Sequence, residues 1–126
     1  MPRLLLQRPV LSMGDTDSFS VDLTKRLDTA ETLTSPTVIE CDIDGDAVTG
    51  GTLTIADVQV NSAAYYDANN YDANGNATAV AVGKAVQFTL STSQTLPDSK
   101  FVLVTANSTG GSITRTLQRM IKIEFK

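Results

Sequence analysis

The chain has 126 residues, a formal charge of −4, one cysteine, and neither histidine nor tryptophan. That length holds one core and not two, and the acidic balance argues against nonspecific nucleic-acid binding. Lone Cys41 excludes an internal disulfide, and without histidine a structural zinc site has no ligand set. Valine, threonine, alanine and isoleucine are prominent and charged residues sparse, which suits a small β-domain better than a helical bundle.

The first fourteen residues read as an extended N-terminal arm, with the domain proper spanning residues 15–126. The arm's apolar run, Leu4, Leu5 and Leu6, is cut by Gln7, Arg8 and Pro9 and falls short of a signal-peptide core. No other stretch approaches transmembrane length, so a soluble chain is expected, its arm ordering against a neighbour or staying loose. Phe19–Leu23 alternates and predicts the first strand, followed by a turn or single helical turn at Asp28–Glu31. Thr37–Ile43 predicts the second strand, with Pro36 at its entry and Cys41 as a small core hydrophobe on the parity of Ile39 and Ile43.

Asp44-Gly45-Asp46 signals a tight turn. Thr52–Ile55 and Val58–Val60 follow, with Ala56-Asp57 between them as a bulge. Residues Asn61 to Asn76 break the pattern. They contain a tandem echo, Tyr66-Asp-Ala-Asn69 and Tyr71-Asp-Ala-Asn74, and predict a long exposed loop or hairpin tip. Thr78–Val82 and Ala85–Leu90 resume the strand pattern around Gly83-Lys84, and Ser91–Ser99 is a polar connector.

The C-terminal end is the clearest. Phe101–Thr105 and Leu117–Phe125 flank a segment ending in Gly110-Gly111, where positive φ is tolerated. Leu117, Ile121, Ile123 and Phe125 share one parity while Lys122, Glu124 and Lys126 share the other, the period of a half-buried strand. About seven to eight short antiparallel strands result, and the architecture they predict is an all-β, immunoglobulin-like β-sandwich. A small Greek-key barrel is the nearest rival.

Charge is unevenly spread. Asp15, Asp17, Asp22, Asp28, Glu31, Glu40, Asp42, Asp44 and Asp46 crowd the first third, while Arg115, Arg119, Lys122 and Lys126 mark the end. Two accounts are open: pairing of acidic and basic edges inside the fold, or head-to-tail contact between copies.

Enzymatic signals are nearly absent. There is no histidine base, no Gly-x-Ser-x-Gly or Ser-x-x-Lys at a plausible turn, and no phosphate-binding glycine loop. Asp42, Asp44 and Asp46, and more weakly Asp72, Asn74 and Asn76, space oxygens as calcium loops do. Both lack the sixth-position glycine and twelfth-position glutamate of an EF-hand and read as ordinary turns. No catalytic, cofactor or metal residues are therefore assigned. Tyr65, Tyr66 and Tyr71 form the one aromatic cluster off the predicted strands: an interaction surface, or rings folding back over an end of the sandwich.

Two motifs carry a resemblance. Asp15-Thr-Asp-Ser-Phe-Ser-Val-Asp-Leu23, with Leu27-Asp28 and Thr32 following, resembles the opening of small immunoglobulin-like structural proteins of tailed bacteriophages. Phe101-Val-Leu-Val-Thr-Ala-Asn-Ser-Thr-Gly-Gly111, then Thr114-Arg-Thr116 and an alternating strand, is similar to their close. Asp28 stands where that family has glycine, and Thr95-Leu-Pro-Asp98 replaces a Ser-Gly-Gly-Thr segment.

The resemblance implies a non-enzymatic virion protein, made in the host cytoplasm and binding no cofactor, nucleic acid or membrane. In that role it is a multi-copy adaptor linking tail or connector to fibre or tailspike. Capsid decoration is the alternative, and a carbohydrate-binding sandwich a further one. The contact residues expected are Arg3, Leu4, Leu5, Leu6 and Arg8 in the arm and Tyr65, Tyr66 and Tyr71 in the loop.

Overall fold

The computed structural model describes residues 3–4, 10–11, 16–71, 73–92 and 99–125. Its elements are β1 (Arg3–Leu4), β2 (Val10–Leu11), β3 (Thr16–Asp22), a single 3-10 turn (Thr24–Arg26), β4 (Thr32–Cys41) and β5 (Thr54–Val60). They continue with β6 (Tyr65–Tyr71), β7 (Ala77–Val80), β8 (Ala85–Ser91), β9 (Ser99–Thr109) and β10 (Thr116–Phe125). The chain is all-β, as composition and period require, and apart from β1 and β2 every strand pairing is antiparallel.

One sheet has the order β1-β10-β9-β4, with β2 also on β10; the second has the order β3-β8-β5; β6 and β7 form a separate hairpin. The two larger sheets meet across one apolar core. Val21, Val86, Phe88 and Leu90 supply one side, while Leu33, Val38, Val102, Val104, Leu117, Ile121 and Ile123 supply the other. Burial of Leu117, Ile121 and Ile123 matches the parity read in the last strand. Phe19 and Phe88 pack ring to ring with centroids 5.8 Å apart inside the β3–β8 sheet.

The second strand departs from its predicted form. It begins at Thr32, so Pro36 lies inside it and not at its entry. The ladder to β9 shifts register between Thr34 and Thr37, and Ser35 takes φ 52°. β4 is an edge strand, where a bulge and a missing N–H cost little and deter pairing with other chains.

The core parity is also the reverse of the one predicted. Val38 and Glu40 oppose Val104 and Val102 on the inner face, whereas Ile39 and Cys41 oppose Leu103 and Phe101 on the outer one. Of that outer set, Ile39 and Ile43 are exposed; Cys41 is buried outside the main core, where burial and the neighbouring Asp42 and Glu40 carboxylates push its thiol up to about 11.

The bulge predicted in β5 is present: register shifts between Ala56 and Gln59, and Asp57 takes φ 55°. In the last hairpin the strands run further than their apolar pattern. β9 continues through Asn107, Ser108 and Thr109, leaving 110–115 as the turn. Gly110 there has φ +92°, and a Cβ on it would stand 2.7 Å from the Ala30 carbonyl oxygen, so only glycine fits.

The Asn61–Asn76 segment is the start of a paired hairpin and not a bare loop. Tyr65 and Tyr66 oppose Val80 and Ala79, and Tyr71 opposes Ala77. Asn61 holds the hairpin's base. Its buried Oδ1 accepts from the Gly83, Lys84 and Ala85 N–H groups at 3.1, 3.1 and 2.9 Å. Its Nδ2 donates to the carbonyls of Ala63 and Ala81, one on each foot of the hairpin. Replacing Asn61 with Ala strands the buried Ala85 N–H and leaves Gly83 and Lys84 only the backbone carbonyls of Asn61 and Ala81; it is expected to cost about 1–3 kcal/mol in a urea melt, and a loss within ~0.5 kcal/mol would contradict the clamp.

Candidate functional site

Antiparallel register gives the sandwich two ends. The upper end carries the 23–31 connection, the 81–84 turn, the 110–115 turn and the root of the β6–β7 hairpin; the lower end carries the 42–53 connection. Both ends are closed by buried polar groups.

At the upper end, Lys84 is buried and its Nζ donates to the carbonyls of Asp28, Thr29 and Glu31. The buried Glu31 carboxylate accepts from the Asp28 N–H at 2.9 Å and from Arg115 at 2.7 Å, and Arg115 also donates to the Arg26 carbonyl. Three loops that are remote in sequence are thus tied together by charge-assisted bonds. The hydrogen bond from the Asp28 N–H holds the Glu31 carboxyl below its ordinary value of 4.5. Burial opposes that shift, while the Ser108 hydroxyl and the Arg115 guanidinium reinforce it.

At the lower end, Glu40 accepts from the Leu53 N–H at 2.9 Å and pairs with Lys100 at 3.3 Å. These carboxylates and amines are committed to holding loops. The Asp42 carboxylate accepts from the Asp44 and Asp46 N–H groups at 2.9 and 3.0 Å, which makes this stretch a self-satisfied turn. Among the described residues no group of three metal-binding side chains converges. Asp72 lies outside the described residues. No helix among them is long and apolar enough to cross a membrane.

The sequence-predicted contact residues separate into two places. In the hairpin, Tyr66 is 75% exposed, while Tyr65 is half-buried on the face it shares with buried Val80. One ring therefore points outward and the other lies against the fold, so both readings of the cluster are realised by different residues. Tyr71 is placed in β6 by its backbone; its side chain lies outside the described residues.

In the arm, Arg3 and Leu4 run parallel to β10 opposite Arg119 and Met120, and Val10 and Leu11 lie opposite Glu124 and Phe125. These segments extend the chain's own sheet. Leu5, Leu6 and Arg8 lie outside the described residues. Sequence reasoning missed Asn61, Lys84 and the Glu31–Arg115 pair because, Ala63 apart, their side-chain partners across the fold lie 20 to 84 positions away. It also missed Val82 and Ile113, which are 53% and 73% exposed on upper-end turns.

No protein-family model, curated protein or solved structure matches this chain.

The Glu31 shift has a definite sign. A carboxyl with a lower pKa folded than unfolded stabilises the fold above its unfolded value, and that contribution is lost as pH falls through the native value. Thermal melts of the wild type are expected to lose stability on acidification below about pH 4.5. Glu31→Gln should be less stable at neutral pH and lose less over the same acid window. Parallel acid slopes for the two proteins would refute the assignment.

Proposed function

We propose that this chain is a non-enzymatic structural module of a tailed-phage particle. It is an immunoglobulin-like sandwich that joins a tail or connector to a fibre or tailspike in many copies. The observation that carries the reading is the strand order. β3-β8-β5 facing β4-β9-β10 follows the B-E-D and C-F-G sheets of the immunoglobulin fold, with β4 in the place of strand C. It supports the motif resemblance at residues 15–23 and 101–116, which by itself is a likeness of short segments.

The commitment of Glu31, Glu40, Lys84 and Lys100 to structural bonds favours a brick over a catalyst. The hairpin offers the attachment surface. It stands on the Asn61 clamp and turns Tyr66 outward, a rigid amphipathic ring able to bury area at low entropic cost. The arm offers the second contact, through Arg3, Leu4, Leu5, Leu6 and Arg8. Repeated weak contacts of this kind become firm through multiplicity.

The test is particle assembly with two variants. Deleting residues 1–12 is expected to lower the number of copies incorporated. Tyr66→Ser should leave incorporation unchanged and lower the number of fibres or tailspikes held. Full occupancy by both variants, counted by quantitative mass spectrometry of purified particles, would overturn the reading.

A further inference from the structure

The chain has six asparagines, and the fold places them very differently. Asn74 alone is followed by glycine. It lies in the 73–76 turn that joins β6 to β7, beyond the last paired residues Tyr71 and Ala77. Every residue of that turn is exposed. Gly75 has φ +81°, and a Cβ built on it would meet nothing within 4 Å. An asparagine carboxamide is open to attack by the backbone nitrogen of the next residue, and an uncrowded glycine leaves that approach clear.

The other five asparagines lack this combination. Asn61 is buried, and five hydrogen bonds fix its carboxamide. Asn107 lies in β9 opposite Thr34 and Thr116, and the nitrogen that follows it, on Ser108, donates to the Arg115 carbonyl at 2.8 Å. Asn69 and Asn70 lie inside β6, and Asn76 precedes Ala77, the first residue of β7. Each of the five is followed by a residue with a side chain.

We propose that Asn74-Gly75 is a site of spontaneous covalent modification, with water as the co-reactant. The Gly75 nitrogen gives its proton to hydroxide and attacks Asn74 Cγ. The new C–N bond closes a succinimide ring, and the carboxamide nitrogen takes a proton from water and leaves as ammonia. Water then adds to one of the two ring carbonyls and breaks its bond to the ring nitrogen, giving aspartate or isoaspartate at position 74. Nothing is oxidised or reduced. A neutral amide becomes a carboxylate, which adds a negative charge to the formal −4 of the chain. Isoaspartate also routes the main chain through the side-chain carbon and lengthens the turn by a methylene. The inference does not depend on the virion reading.

Incubating the full chain for days at body temperature and mildly alkaline pH tests it, read by intact mass and peptide mapping. The mass is expected to rise by the difference between an amide and an acid. The change should map to residue 74 and appear as both aspartate and isoaspartate. Conversion should slow at mildly acidic pH, because the attacking nitrogen must first lose its proton.

Asn74→Gln lies at an exposed position and should melt as the wild type does. Its longer side chain must close a larger ring, so its mass should hold over the same interval. A wild type that keeps its mass, conversion that appears first at another asparagine, or a mass gain that persists in Asn74→Gln would overturn the inference.

Discussion

A two-sheet sandwich is open at both ends, and this one closes them with buried polar groups. The core between the sheets is built from valine, leucine, isoleucine and Phe88, with no tryptophan to plug an end. Lys84 and Glu31 above, and Glu40 below, take that place. A buried charge is costly unless it is paired or fully hydrogen-bonded: Glu31 and Glu40 are paired with Arg115 and Lys100, and Lys84 is held by backbone carbonyls. Lys84 satisfies three carbonyls of one turn, Glu31 accepts from Asp28 and Arg115, and Glu40 accepts from Leu53 and Lys100. Breaking any of them strands a charge, which fixes the loops in one arrangement more strictly than apolar contact would.

That constraint shapes what the surface offers. The 23–31, 81–84 and 110–115 segments cannot move independently, so Val82 and Ile113 are presented at fixed positions. The β6–β7 hairpin is anchored at both feet by one carboxamide, and Tyr66 projects from a defined base. Pre-organised surfaces of this kind bind with less ordering cost, which suits contacts that are small individually and repeated. Edge protection follows the same logic: bulges at Ser35 and Asp57 interrupt β4 and β5, while β1 and β2 lie along β10.

What the sequence displays is what local pattern encodes. Alternation in β10 and β8, the Asp57 bulge and the glycine need at 110 are written in neighbouring residues and appear in the structure. The face of β4 was misread because Ile39, Cys41 and Ile43 are the more apolar set, while the inner set includes Glu40. A buried ion pair reverses the hydrophobic signal at that position, and only Lys100, sixty residues on, explains it. Of the loop and the hairpin tip read for Asn61–Asn76 the structure has the hairpin, but the extent of β6 was hidden, since an Asn- and Asp-rich strand carries no period of two in hydrophobicity. Of the tyrosines read as one cluster, Tyr66 is exposed while Tyr65 lies half-buried against Val80, a division that only the pairing of the hairpin fixes.

The central claim is that buried polar groups lock the upper end as firmly as the apolar core locks the centre. Native-state hydrogen exchange measures this at the Gly83, Lys84 and Ala85 amides held by Asn61. The account expects them to exchange only through global unfolding, at the rate of Val86 and Phe88 in β8. Exchange as fast as that of the exposed 73–76 turn would contradict it.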